Sequence, residues 1–155
     1  MDYTEDLLYY ARDPRFRGAI KIPSATAYRE NLSCGDALTC TILTSERTGD
    51  SPLAPSWKEG ERPPVLTPTG KEGERPLGLI EQVRFEGTGC VICLASANVL
   101  AEHVENSSIE SVLALGRENM VQWLSCDVGP MRTNCMMLAL LTLLDALHAS
   151  HPEPV

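Results

Sequence analysis

Positive charge is scarce in this chain. Thirteen lysines and arginines face twenty-one aspartates and glutamates in 155 residues, a formal net charge of −8. Beyond Arg84 the only lysine or arginine side chains are Arg117 and Arg132. A nucleic-acid binder needs a clustered basic surface to neutralise phosphates, so no nucleic-acid partner is expected. A long uninterrupted apolar run is also missing: the segment Met136–Leu144 contains Thr142 and meets Asp145, and so falls short of a membrane span. No secretory pattern is visible, because residues 1–20 begin acidic and are broken by Arg12, Pro14, Arg15 and Arg17. The expected location is therefore a reducing cytoplasm, with no membrane association. There the six cysteines point to metal binding or thiol chemistry rather than a disulfide framework.

At this length the chain supports one core, expected over residues 1–150. Tyr3–Arg12 reads as a short amphipathic helix stopped by Asp13-Pro14. Ala25–Asn31 and Ala37–Thr44 read as strands separated by a tight turn at Ser33-Cys34-Gly35-Asp36. Between Ser51 and Pro76 lie six of the eleven prolines and the near-repeat Lys58–Pro63 and Lys71–Pro76. Such a stretch buries too little apolar area to offset its ordering entropy, so a mobile insertion is expected at about 47–76. Gly78–Phe85 reads as a third strand, and Gly87-Thr88-Gly89 as a turn into a helix from Cys90 to about Val104. Short helices follow at Ser108–Leu115 and Glu118–Leu124, then a last one from about Asn134 to Ala149. The order of helix, three strands and further helices suggests an α+β fold, with helices packed on one face of the sheet. The last helix is apolar nearly all round and should be buried, within the chain or against a second copy in a homodimer.

Three cysteines stand where packing residues rarely stand. Cys34 is in a polar turn, Cys90 follows Gly89 at a helix start, and Cys135 is expected in the first turn of the last helix. A helix N-terminus stabilises a thiolate over a thiol. Asp36 can offer a carboxylate to the same ion, giving three sulfurs and one oxygen for zinc or cluster iron. Cys40 and Cys93 fall on apolar faces and read as core, as does Cys126 beside Trp123 and Leu124. None of His103, His148 and His151 has a cysteine neighbour, so none reads as a ligand.

Four motifs in order make the chain similar to the IscU/SufU/NifU N-terminal family of iron–sulfur assembly proteins. They are Asp13-Pro14-Arg15-Phe16-Arg17-Gly18, Cys34-Gly35-Asp36, the segment Ile80–Cys90 followed by Ala95-Ser96-Ala97, and Gly129–Cys135. The resemblance covers roughly residues 1–46 and 78–150. It implies a three-stranded antiparallel sheet with helices on one face, and a [2Fe–2S] cluster or zinc ion held by Cys34, Cys90 and Cys135 with Asp36 beside them. It also implies a non-enzymatic scaffold that accepts sulfur, as a persulfide, from a cysteine desulfurase and serves apo iron–sulfur acceptor proteins. The direct sulfur acceptor would be Cys135 by analogy with IscU-like members or Cys34 by analogy with SufU-like ones.

The chain combines features of both subgroups. IscU-like members carry His just before the third cysteine; this chain has Asn134 there. SufU-like members place Arg three residues before that cysteine, as Arg132 stands here, but carry an extra segment between the second and third cysteines that this chain lacks. The chaperone-recognition stretch of IscU-like members is degenerate here as Val128-Gly129-Pro130-Met131-Arg132. The expected function is a cluster assembly scaffold. The alternatives are a SufU-like zinc-dependent persulfide relay, in which Arg132 would support the acceptor thiol, and a structural zinc-binding domain.

Overall fold

The computed structural model describes residues 4–45, 78–126 and 128–150. Tyr3, the expected insertion at 47–76 and His151 lie outside them. Eight elements follow in order: α1 (Glu5–Arg12), β1 (Ala25–Asn31), β2 (Asp36–Ser45), β3 (Leu79–Thr88), α2 (Val91–Val104), α3 (Ile109–Leu113), α4 (Arg117–Leu124) and α5 (Pro130–Ser150). The three strands form one antiparallel sheet in the order β1-β2-β3. The architecture is α+β, as the sequence order implied.

The sheet buries a face made by strand alternation: Leu38, Cys40 and Ile42 from β2 with Ile80, Val83 and Phe85 from β3. Ile80 and Val83 are three residues apart, yet both point inward. A register shift opposite Leu43-Thr44 leaves one extra β3 residue unpaired and restores the phase. Against the sheet lie α2, which packs on β3, and α5, which packs on β1, β2 and α2. The stripe Cys93, Ala97, Leu100 and Val104 is buried, as its helical spacing predicts.

Helix α1 is capped by Thr4, whose hydroxyl accepts from the Leu7 N–H, and it buries Leu7 and Ala11. Its C-terminal end is held by the buried Asn98, whose amide donates to the carbonyls of Tyr10 and Asp13. The chain then turns at Asp13-Pro14. The Asp13 carboxylate takes the backbone N–H and the guanidinium of Arg15. Phe16-Arg17-Gly18 runs beside β3, exchanging backbone hydrogen bonds with Phe85 at 2.8 and 3.0 Å. The first motif thus fastens α1 to the edge of the sheet.

Two boundaries differ from expectation by three residues or more. β3 runs on to Thr88, so Gly87 and Thr88 are paired strand residues opposite Leu38 and Ala37 rather than a turn. Gly87 has φ +142°, and a Cβ there would lie 2.1 Å from the Ala37 carbonyl oxygen, so only glycine fits this close approach. Helix α5 begins at Pro130, four residues early, because proline at the first helical position starts a helix rather than breaking one. At 21 residues α5 is long and apolar enough to cross a membrane, contrary to the estimate from the Met136–Leu144 run. Half of its most apolar window is buried within the fold, in keeping with a core helix.

Candidate metal centre

The β1–β2 hairpin delivers two site residues. Asn31 closes β1 opposite Asp36, which opens β2, and the loop between them carries Cys34 and Gly35. Gly35 has φ +75°, a left-handed conformation that lets its N–H reach the Asn31 carbonyl at 2.9 Å. The turn leaves Cys34 exposed and places Asp36 under it, only 3% accessible.

Helix α5 supplies the third group. The Cys135 Sγ lies 3.2 Å from the Cys34 Sγ, although the residues are 101 positions apart. The ligand atoms of Cys34, Asp36 and Cys135 all stand within 4.8 Å of one another. Asp36 is divided in its roles. Its Oδ1 accepts the Cys90 N–H at 2.9 Å, while its buried Oδ2 has no hydrogen-bond partner. A buried carboxylate oxygen left unpaired is costly unless a cation or proton completes it. Two thiols and an orphaned carboxylate oxygen converging on one point fit a soft-to-borderline metal ion.

Cys90 comes to the same place by a different route. It is the N-cap residue of α2, as the sequence implied. Its thiol is not among the three ligand atoms within 4.8 Å of one another, and the residue joins the group through its backbone N–H, which donates to Asp36. Gly89 makes that approach close: a Cβ there would sit 2.8 Å from the Cys93 Sγ and 3.6 Å from the Asp36 Cγ. Cys93 therefore packs directly beneath the site, fully buried, as Cys40 is in the sheet.

The electrostatics correct one expectation. Cys135 is the sixth residue of α5, not a first-turn residue, and it is 3% exposed. Burial, then the neighbouring Cys34 and Asp36, push its thiol well above the ordinary range, the opposite of helix-start activation. Burial also pushes the Asp36 carboxyl up. The Cys34 and Cys135 thiols and then Cys90 outweigh it, holding the group below its usual value. Asp36 is thus a carboxylate beside a protonated Cys135 thiol, which a bound cation would deprotonate. Arg132 lies three residues before Cys135 on α5, a spacing that puts the two on neighbouring rows of the helix. His103 stacks on Trp123 instead of approaching the cysteines, with ring centroids 4.3 Å apart.

One contact was not anticipated from the sequence. The Asn31 side chain donates to the Cys135 Sγ at 3.7 Å and accepts the Ser33 N–H at 3.1 Å. An asparagine two residues before a backbone N–H in a polar turn is the available signal for the second contact; nothing in the sequence marks the first.

A small α+β fold thus gathers two cysteine thiols and a buried aspartate at the end of a hairpin, a group able to hold a metal ion. The model of the NifU-like N-terminal domain matches residues 74–152, just over half of the chain, and the protein belongs to that family. The iron–sulfur cluster assembly scaffold protein IscU of Thermotoga maritima is 28% identical over 95% of this chain and 93% of its own length. A crystal structure described as an iron–sulfur cluster assembly scaffold for the SUF system, from Fervidobacterium islandicum AW-1, superposes with a TM-score of 0.66. It is 25% identical and covers 94% of this chain and 96% of its own. The N-terminal part of a nitrogen-fixing NifU-like protein from Brucella abortus shares the fold, with a TM-score of 0.64 at 16% identity, over 98% of this chain and 96% of its own.

Proposed function

We propose that this protein is an iron–sulfur cluster assembly scaffold, receiving sulfur and iron as cargo at Cys34, Asp36, Cys90 and Cys135 and releasing the finished cluster to apo acceptor proteins. The observation that carries the reading is the orphaned Asp36 Oδ2 facing two thiols 3.2 Å apart. Family membership and the likeness to the Thermotoga scaffold support it. A carboxylate is a harder ligand than thiolate and binds cluster iron less firmly, which suits cargo that must leave.

Sulfur would arrive as the persulfide of a cysteine desulfurase. A thiolate of this chain attacks the outer sulfur; the persulfide S–S bond breaks, a new S–S bond forms here, and the desulfurase leaves as its thiolate. No net oxidation occurs. Exposed Cys34 is the first acceptor in this scheme, because Cys135 is buried and its thiol is held protonated. Cys135 stands within reach of any sulfur that Cys34 carries.

A second reading, a zinc-dependent persulfide relay, is favoured by Arg132 and by Asn134 in place of histidine. The deciding experiment is anaerobic assembly with a cysteine desulfurase, cysteine, ferrous iron and a reductant. Scaffold function predicts the visible absorption of a [2Fe–2S] cluster on this protein and its transfer to an apo ferredoxin. Persulfide formation with zinc retained and no cluster would replace the scaffold reading by the relay.

A further inference from the structure

We infer that Asn31 is the positioning residue of the site, one carboxamide that clamps the Cys34 loop and orients the Cys135 sulfur; this rests on the proposed metal role of those two thiols. The alternation of β1 places Ala25, Ala27, Arg29 and Asn31 on one side of the strand. Two of these reach α5: Arg29 pairs with Asp145, and Asn31 meets Cys135. Side-chain bonds therefore tie the strand to the helix at two points, and the second is the proposed metal site.

The orientation of the carboxamide is fixed by its partners. The Ser33 N–H can only donate, so the atom 3.1 Å from it is the oxygen, which leaves the NH₂ group towards Cys135. The Asn31 main chain completes the clamp, its carbonyl accepting the N–H groups of Cys34 at 3.3 Å and Gly35 at 2.9 Å. Both sulfurs are thus referred to a single residue, one through the loop and one through space. An N–H directed at a metal-bound thiolate withdraws electron density from it, and such outer contacts orient ligands and tune the metal. A plain turn-forming asparagine would need only the oxygen.

Two substitutions separate these roles. Asn31→Ser keeps a short acceptor for the Ser33 N–H but cannot reach Cys135, whereas Asn31→Ala loses both contacts. With cobalt(II) as probe, the sulfur-to-cobalt charge-transfer band should move to lower energy in both variants, because the thiolate has lost its donor. Affinity should fall about 10–100-fold. In the metal-free protein, diamide should oxidise Cys34 and Cys135 to a disulfide more slowly in Asn31→Ala than in wild type, with Asn31→Ser close to wild type. A charge-transfer band in Asn31→Ser identical to wild type would overturn the donor role, and equal oxidation rates in all three would overturn the clamp. Wild type without any charge-transfer band would instead refute the metal reading of Cys34 and Cys135, and the orienting role of Asn31 with it.

Discussion

Gly89→Ala probes the close packing of Cys93 beneath the site. The added Cβ would lie 2.8 Å from the Cys93 Sγ and 2.9 Å from its Cβ. Ordinary contact is about 3.5–4.0 Å, so roughly 1 Å of movement is needed. Cys93 is fully buried and cannot turn out into solvent. The strain therefore falls on the backbone at 89–90, which carries the Cys90 N–H away from the Asp36 Oδ1. Overpacking of this kind costs about 1–3 kcal/mol, or roughly 3–10 °C in Tm for a chain of this size. Chemical denaturation and thermal melts of the metal-free protein give the stability loss, and zinc titration against a chromophoric chelator gives the affinity loss. Cys93→Ala removes the Sγ contact but not the Cβ contact, so the double variant should be less destabilised than the sum of the singles, by about 0.5 kcal/mol or more. Wild-type stability and affinity in Gly89→Ala, or strict additivity with Cys93→Ala, would refute the packing argument.

The remaining expectations concern single side chains. Metal retention after gel filtration should be lost in Cys34→Ala, Cys90→Ala and Cys135→Ala and kept in Cys40→Ala, Cys93→Ala and Cys126→Ala; equal loss at Cys93 would overturn the ligand set. Arg132→Ala should slow the arrival of persulfide sulfur on Cys135, followed by mass spectrometry with a desulfurase, more than it lowers Tm, because Arg132 stands three residues before Cys135 on α5 and a nearby guanidinium favours the anion. An unchanged rate in a folded variant would remove that role. The side-chain hydrogen bond from Arg15 is the leading cause of a depressed Asp13 carboxyl. Its folded pKa lies below the unfolded value of 3.8, so the stabilisation is complete above that pH and is lost as pH falls through the folded pKa. Asp13→Asn should lower stability at pH 7 and flatten the acid limb below pH 4, and an unaltered acid limb in urea titrations would show that the pair contributes nothing.

Local rules made much of the fold legible in the sequence. The bounds of β1, α2 and the end of α1 follow from alternation, a helical stripe and Asp13-Pro14. What local rules misread were positions set by partners far away in the chain. Gly87 looks like turn material, but the approach of the Ala37 carbonyl holds it in a strand. Pro130 looks like a break, but it opens the first turn, where a backbone N–H has no intrahelical partner to lose. That four-residue shift carries Cys135 out of the first turn and into the core, so the helix-start argument holds for the placement of Cys90 and fails for Cys135. The motifs brought Cys34, Asp36 and Cys135 to notice; their convergence, and the hand that Asn31 has in it, depend on how α5 lies across the hairpin.

Asp36 gives the most direct test of the central claim, because the scaffold and a closed zinc site predict opposite signs for one substitution. In a scaffold, Asp36→Ala removes the adjustable oxygen and leaves the thiolates, so a bound cluster should outlast that of wild type under a chelator challenge followed by visible absorption. In a closed zinc site the same change opens a coordination position and weakens binding. A longer cluster lifetime in Asp36→Ala is the predicted result. Faster metal loss in the variant, with elemental analysis showing zinc as the native metal, would contradict the labile scaffold.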